Sequence, residues 1–310
     1  MILKPNGQSV LIVGSVALDD VETPFGKVEN ALGGAAVYSS VAAGYFAPVR
    51  LVGVVGQDFP QEHVAFLSSR GVDLAGLQSM PGETFHWSGS YDFDLNQAHT
   101  LETRLNVFQT FRPDIPASYV ESPYVFLANI DPELQLQVLD QVKSPKLTVC
   151  DTMNFWISSK KDQLIEVFKR VDVVFLNDAE ARQLCGTFSL IKAARMIREM
   201  GPSVVIIKKG EHGAVMVSDD TYFSAPSYPL EEIRDPTGAG DSFAGGFIGY
   251  VAATDDISEP NLRKATIFGS TLASFNVEDF SLKRLSALTM DDIMSRYYEF
   301  RQIVHFEDME

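Results

Sequence analysis

Short runs of apolar residues alternate along the chain with segments in which apolar residues recur every three or four positions. The short runs are rich in Val, Ile and Leu, which is typical of buried strands; they cover residues 10–16, 49–55, 124–130, 147–151, 173–177 and 204–208. Helical spacing is found at residues 35–46, 62–70, 132–142, 160–170 and 190–200. This alternation predicts an α/β fold with three layers, α/β/α, in which helices cover both faces of a mainly parallel central sheet.

Two segments depart from this alternation. Residues 19–32 are polar, and residues 82–113 alternate with many aromatic side chains. Both patterns predict strands of a small accessory sheet whose apolar face covers a cleft or joins a second subunit; an irregular surface excursion is the alternative. Residues 214–217 and 222–225 predict a hairpin added to the central sheet. Residues from 241 to about 301 have helical spacing, and a single domain over residues 1–310 is expected.

Composition narrows the classes of function. The net charge of −16 argues against a general nucleic-acid or anionic-membrane binder, which would need a basic surface. Two cysteines, Cys150 and Cys185, cannot build a disulfide framework and are expected to be buried free thiols in a reducing compartment. The first seven residues lack signal-peptide architecture, and no apolar run reaches membrane-spanning length. The cytoplasm is therefore the expected location.

The run of small residues from 235 to 247, Asp-Pro-Thr-Gly-Ala-Gly-Asp-Ser-Phe-Ala-Gly-Gly-Phe, is the most informative motif. It reads as a turn that opens a helix. The backbone N–H groups of Gly238, Ala239 and Gly240, together with the positive end of the helix dipole, would form an anion site suited to a phosphate. Asp241 would repel a phosphate, so its expected task is to accept a proton from an attacking hydroxyl. The simpler alternative is an acidic residue favoured by the helix dipole.

Two further motifs follow predicted strands. Asn177 and Glu180 have the spacing of a helix capping box, but at the carboxyl end of a strand they would also arrange a phosphate oxygen and the water shell of Mg²⁺. Lys208, Lys209 and Gly210 end another strand, where a lysine would meet a nucleotide phosphate and the glycine would allow close approach. The alternative for the second motif is a tight turn with solvated lysines, and the sequence does not decide which lysine faces the phosphates.

A third group of motifs is suited to a polyhydroxylated ligand. The carboxylate of Asp19 can accept two adjacent hydroxyl groups, although a solvated loop is equally compatible with the sequence. Gly33 and Gly34 allow close contact ahead of a helix made of small residues, and Asn154 follows a strand at Asp151. No spacing of histidines indicates a metal site, and no Gly-x-x-x-x-Gly-Lys-Ser/Thr loop is present.

In their order and spacing these motifs resemble the ribokinase-like, or PfkB, family of carbohydrate and nucleoside kinases. The resemblance covers nearly the whole chain and implies a ribokinase-like fold with a small β lid, at about 15–32 and 82–113. It implies ATP and Mg²⁺ as cofactors, and K⁺ in some relatives. The implied catalytic group comprises Asp241 as general base with the backbone of Gly238, Ala239 and Gly240. The implied ATP-binding residues are Asn177, Lys208, Gly210, Thr237, Gly240 and Phe275. The implied substrate-binding residues are Asp19, Gly33, Gly34, Asn154 and Asp241. Glu180 would hold Mg²⁺ through water, and Asp235 would lie beside a monovalent cation.

Two positions depart from the family pattern. Tyr38 stands where Gly-Gly-x-x-x-Asn usually has Asn, and the spacing between Asp151 and Asn154 is one residue longer than in many relatives. Both departures suggest hydroxyl contacts that differ from those of free ribose. By pattern alone, residues 265–275, including Phe275, form core; the resemblance gives them the adenine pocket.

The sequence therefore predicts an ATP-dependent kinase that phosphorylates a hydroxyl, the primary one, of a sugar or sugar-like substrate. A nucleoside kinase is the alternative, since the aromatic residues Phe85, Trp87, Tyr91 and Phe93 would stack on a base. A catalytically silent ligand-binding protein is the alternative from another class. A homodimer through the lid is compatible with the apolar lid face, and neither nucleic acid nor membrane is expected as a partner.

Overall fold

The computed structural model describes residues 8–95, 97–219 and 221–307. Its strands, in chain order, are β1 (Val10–Val13), β2 (Ala17–Thr23), β3 (Gly26–Gly33), β4 (Val49–Val55), β5 (Val72–Ser79), β6 (Phe85–Tyr91), β7 (Ala98–Arg104), β8 (Tyr124–Leu127), β9 (Leu147–Asp151), β10 (Val173–Asn177), β11 (Val204–Lys208), β12 (Ala214–Ser218) and β13 (Thr221–Ala225). Its helices are α1 (Ala35–Ala43), α2 (Gln61–Ser69), α3 (Pro132–Gln141), α4 (Asn154–Ser159), α5 (Lys161–Phe168), α6 (Asp178–Cys185), α7 (Leu190–Arg198), α8 (Ala239–Thr254), α9 (Glu259–Asn276), α10 (Lys283–Ser286) and α11 (Met290–Ile303). Among the described residues, no helix is both long enough and apolar enough to cross a membrane.

The central sheet has nine strands in the order β13-β12-β11-β10-β9-β8-β1-β4-β5. Every neighbouring pair from β11 to β5 is parallel, whereas β12 and β13 form the predicted antiparallel hairpin at one edge. Apolar clusters cover both faces of this sheet, as expected for parallel strands whose crossover helices lie on the two sides. The predicted fold class is confirmed, and the carboxyl ends of β9, β10 and β11 meet at one edge.

The accessory strands form a separate four-stranded sheet in the order β3-β2-β6-β7. The expectation of strands up to residue 113 is wrong at its end, because a 3₁₀ helix occupies Asn106–Thr110. Val107 of this helix and Phe111 directly after it are buried in the core against the central sheet rather than on a lid face. The second sheet therefore ends at Arg104.

Helix α8 is buried between α1 and α9, and its glycines allow the close approach. A Cβ added to Gly245 would lie 2.2 Å from the carbonyl oxygen of Ser39, and one added to Gly249 would lie 2.8 Å from Cα of Ala43. The small residues of α1 thus form the surface against which α8 packs. This contact fixes the N-terminus of α8 above the carboxyl ends of the central strands.

Candidate active site

The predicted anion turn is a left-handed turn that opens α8. Gly238 has a φ of +76°, which favours glycine, and it directly precedes the first helical residue. The N–H of Ala239 donates to the carbonyl of Pro236 at 3.2 Å. Contrary to the expectation from the sequence, this N–H group is therefore not available to an anion. Within the described residues, the N–H groups of Gly238 and Gly240 have no hydrogen-bond acceptor. These two groups and the helix dipole therefore remain available to an anion.

Buried polar side chains hold the turn in place. The carboxylate of Asp235 accepts hydrogen bonds from the backbone N–H of Thr237 at 2.9 Å and of Ser281 at 3.2 Å. The amide of Asn276 donates to the carbonyl of Thr237 at 2.7 Å and accepts from the hydroxyl of Ser242 at 3.2 Å. Asp235 thus shapes the turn, and its contact with a monovalent cation stays a prediction. Asn276 was not found from the sequence; the available signal was a polar residue directly after the apolar positions Phe268, Leu272 and Phe275.

Asp241 lies in the first turn of α8 and is partly buried. Burial raises the pKa of its carboxyl to about 6, with a further rise from the charge of Asp151 and an opposing effect of Lys208. A carboxyl with this pKa is mostly ionised at neutral pH yet binds a proton more readily than an ordinary aspartate does. That combination suits a group that must take up a proton.

Lys208 lies beneath the anion turn. Its Nζ is 2.6 Å from Oδ2 of Asp151, and a Cβ added to Gly240 would come within 3.0 Å of the same nitrogen. Burial disfavours its charge, but the carboxylates of Asp151, Glu180 and Asp241 outweigh this and raise its pKa. Of the two lysines, Lys208 is the one that faces the turn, so the alternative of a solvated lysine does not hold for it.

Asn177 and Glu180 form a capping box at the start of α6. The backbone N–H of Asn177 donates to Oε2 of Glu180 at 2.7 Å, and Oδ1 of Asn177 accepts from the N–H of Glu180 at 2.8 Å. Within the described residues, Oε1 of Glu180 has no hydrogen-bond donor. Burial, followed by the charge of Asp151, raises the pKa of Glu180 to about 7. The capping role is therefore real, and it leaves one carboxylate oxygen for another partner.

Asp19 faces the same region from β2. A Cβ added to Gly33 would lie 1.9 Å from Oδ2 of Asp19, so only glycine leaves room for this carboxyl. Burial raises the pKa of Asp19 to about 8, opposed by the N–H of Gly34 and supported by the charges of Asp235 and Asp241. The structure thus brings Asp19, Gly33 and Gly34 together near Asp241.

Two aromatic residues of β6 lie beside this region. Trp87 is the direct neighbour of Asp19 in the parallel register of β2 and β6, which places both side chains on one face. Its indole lies over Gly89 and donates its N–H to the hydroxyl of Thr100 at 3.2 Å. The hydroxyl groups of Tyr91 and Thr237 are 3.2 Å apart, so β6 contacts the anion turn. Phe85 instead stacks on Phe108 and Phe93 is 81% exposed, so neither of them joins the cluster.

Three predicted residues lie outside this cluster of contacts. Phe275 is buried, with the guanidinium carbon of Arg296 3.4 Å from its ring centroid. Gly210 has a φ of +54° and opens a short 3₁₀ turn after β11. Asn154 is exposed at the start of α4, and within the described residues its side chain makes no hydrogen bond. Their contacts with ATP or with the acceptor stay predictions.

Comparison with known proteins assigns the family. Residues 95–287 match the model of the pfkB family carbohydrate kinases. The chain is 36% identical over 248 residues to the cytidine kinase of Thermococcus kodakarensis, covering 78% of this chain and 88% of that protein. It is 28% identical over 290 residues to the nucleoside kinase of Methanothermobacter thermautotrophicus, covering 88% and 90%.

A solved structure shares the fold. The nucleoside kinase of Methanocaldococcus jannaschii, an archaeal member of the ribokinase family, superposes with a TM-score of 0.75 at 21% identity, covering 96% of this chain and 100% of that one. The family match, the 36% identity to a kinase and this superposition agree with each other. The chain belongs to the pfkB family of carbohydrate kinases and is an ATP-dependent phosphotransferase.

Proposed function

We propose that this kinase transfers the γ-phosphoryl group of ATP to the primary hydroxyl of the ribose ring of a nucleoside. The observation that carries the proposal is the placement of Trp87 beside Asp19, on the face of the second sheet that reaches Thr237. A carboxyl group that hydrogen-bonds ribose hydroxyl groups, next to an indole that stacks on a base, matches the two halves of a nucleoside. The relatives named cytidine kinase and nucleoside kinase support the same choice.

Asp241 is the proposed general base. It lies one residue after Gly240, whose free N–H belongs to the anion turn, so an acceptor hydroxyl between the two would face both the base and the phosphorus. With its pKa at about 6, the carboxylate is ionised at pH 7 and takes the hydroxyl proton as the new P–O bond forms. The third reading of the sequence, a silent binding protein, has no use for such a group.

Hydrogen-bond donors would stabilise the negative charge of the phosphoryl group from two sides. The N–H groups of Gly238 and Gly240 approach it from the N-terminus of α8, and the ammonium of Lys208 lies beneath Gly240. These groups are already fixed by Asp235, Asn276 and Asp151 before a ligand binds. Preorganised donors of this kind stabilise charge that develops during transfer, because they need no reorganisation at that moment.

The residues near Glu180 fit a magnesium ion bound mostly through ATP. No group of three or more potential metal ligands forms a cage within the described residues. Mg²⁺ in such sites keeps several waters and is held largely by phosphate oxygens, so a single carboxylate oxygen such as Oε1 of Glu180 is enough to orient a bound water. When bound, the ion would neutralise phosphate charge. Glu180 would act with Asn177, which ends β10 directly beside Lys208.

A free sugar is the competing acceptor. The family is named after carbohydrate kinases. The site formed by Asp19, Gly33 and Gly34 would bind a free sugar as well as the ribose of a nucleoside. The two acceptors differ in whether Trp87 has a base to contact. The test is to measure kcat/KM for paired acceptors, cytidine with ribose and adenosine with ribose, followed by deoxynucleosides and hexoses. A nucleoside preferred over its free sugar by tenfold or more supports the proposal, and equal or better turnover of a free sugar rejects it.

A further inference from the structure

We propose that Asp151 is a positioning residue, which holds the ammonium group of Lys208 beneath the anion turn so that it meets the γ-phosphoryl group during transfer. The inference rests on the proposed function. It concerns a residue that the sequence analysis used only to mark the start of a shifted motif. The ion pair between the two side chains, with 2.6 Å between Nζ and Oδ2, is its geometric basis.

The register of the sheet explains how the pair forms. Asp151 ends β9 and is paired with Phe175 of β10, while Lys208 ends β11 and is paired with Asn177. The two side chains therefore meet above β10, and Nζ lies 5.9 Å from the ring centroid of Phe175. This ring packs against Phe243 and Phe247 of α8. The ion pair therefore lies between the sheet and the N-terminal turns of α8.

Stability alone is a poor explanation of this pair. The Asp151 side chain is 5% exposed and that of Lys208 is 19% exposed. Removing two charges from water costs more free energy than a well-packed apolar pair would, so buried ion pairs contribute little to stability. Only one N–H of the ammonium is needed by Asp151, and a lysine has three. The remaining donors lie next to Gly240, where the phosphate is proposed to bind.

Asp151 also determines which of the nearby carboxylates forms an ion pair with Lys208. Glu180 of α6 and Asp241 of α8 both interact with Lys208, yet within the described residues the ammonium is hydrogen-bonded only to Asp151. Asp19 and Tyr91 of the second sheet face Asp241 from the other side. Without the carboxylate of Asp151, the lysine would be free to pair with Asp241 and would then mask the base. Asp151 therefore keeps the ammonium group of Lys208 near the phosphate site. It also leaves the carboxylate of Asp241 without an ion-pair partner.

The experiment compares Asp151→Asn, Lys208→Met and the double variant. Calorimetry gives the affinity for Mg·ADP and for a non-hydrolysable Mg·ATP analogue. We expect Lys208→Met to weaken binding of the analogue by about ten- to a hundredfold, as expected for a hydrogen bond to a charged group, and to leave Mg·ADP within about threefold. Asp151→Asn should weaken analogue binding less, and should add nothing in the Lys208→Met background.

A second readout separates positioning from a purely structural role. In Asp151→Asn, kcat should fall by about tenfold or more while KM for the acceptor stays within about threefold. The acid limb of its pH profile should move to lower pH, because the carboxylate that raises the pKa of Asp241 is gone and the lysine that lowers it is nearer. An unshifted acid limb, or activity lost only in proportion to folded protein, overturns the inference.

The binding arm does not depend on the acceptor. If no nucleoside is phosphorylated, the proposed function fails, while the affinities for the ATP analogue still test the role of Asp151. Equal loss of Mg·ADP and analogue binding in Lys208→Met contradicts a contact with the γ-phosphoryl group. Further loss in the double variant contradicts an action of Asp151 through Lys208.

Discussion

The ring of Tyr38 lies where a side chain on Gly238 would have to be. A Cβ added to Gly238 would come within 2.4 to 2.5 Å of three ring atoms of Tyr38. The tyrosine that departs from the family pattern therefore packs directly on the anion turn. Tyr38 is buried and also lies close to Asp19 and Asp235.

We expect Gly238→Ala to lower kcat by at least about a hundredfold, since the added methyl group must displace either the Tyr38 ring or the turn, and loss of a positioned anion-site donor has an effect of this size. Gly186→Ala is the matched control. Gly186 also has a left-handed φ, +61°, but a Cβ there would meet nothing within 4 Å. The control separates backbone strain from the clash. Steady-state kinetics and thermal unfolding of both variants check the prediction, and equal kinetic losses in the two would refute it.

The pH dependence of the reaction should report the ionisation of Asp241. The pKa of this carboxyl is raised to about 6, and only the deprotonated form can accept a proton. We expect kcat to fall about tenfold per pH unit well below pH 6. Initial rates at saturating Mg·ATP between pH 4.5 and 8 measure this. A rate that is unchanged down to pH 4.5 would be inconsistent with Asp241 as the base.

Trp87 should report and support nucleoside binding. The chain has two tryptophans, and Trp156 donates its indole N–H to Asn129. In a Trp156→Phe background, cytidine should change the fluorescence of Trp87 and free ribose should change it much less. Trp87→Leu should raise KM for nucleosides by about tenfold or more, because stacking on a base contributes about 1–3 kcal/mol.

The same substitution distinguishes the two acceptor classes. Trp87→Leu should leave kcat/KM for free ribose within about threefold, since ribose has no base to stack. If nucleoside and ribose turnover fall by the same factor, Trp87 supports the sheet and not the ligand.

Tyr91 should couple the second sheet to the anion turn. Its hydroxyl is 3.2 Å from that of Thr237, and Tyr91→Phe removes this contact while keeping the ring. We expect kcat to fall by about three- to tenfold, the effect of one neutral hydrogen bond. Hydrolysis of ATP without an acceptor should rise, because water is less well excluded. Tyr222→Phe, at a tyrosine that is 67% exposed, is the control. Unchanged turnover and hydrolysis in Tyr91→Phe would show that the contact has no part in transfer.

Much of the fold was predictable because local patterns dominate buried parallel strands. The predicted segments at 49–55, 147–151, 173–177 and 204–208 agree with β4, β9, β10 and β11. Strand β5 was not predicted, since its alternation is interrupted by Gly76, which leaves room for Val52 and the Tyr119 ring. The spacing of aromatic residues predicts a strand at residues 106–110, because spacing alone cannot distinguish a strand from a short 3₁₀ helix whose side chains enter the core.

The site was predictable only where a motif is contiguous. The turn at Gly238, Asp241 and the capping box of Asn177 and Glu180 are local in sequence. Asp151 and Asn276 were missed as functional neighbours because their roles depend on partners 57 and 39 residues away, at Lys208 and Thr237. Such contacts follow from strand register and from the packing of α8 and α9, which the sequence of either segment alone does not specify.

Nucleoside phosphorylation with Asp241 as the base is tested most directly by identifying the product made from Mg·ATP and cytidine by the unaltered protein and by Asp241→Asn, using ³¹P NMR. Asp140→Asn, at an exposed carboxylate paired with Arg170, is the control. We expect cytidine 5′-monophosphate from the unaltered protein and the control, and a rate lower by about 10²–10⁴ in Asp241→Asn with unchanged thermal unfolding. Near-full turnover in Asp241→Asn, or release of inorganic phosphate without phosphorylated cytidine in the unaltered protein, would contradict it.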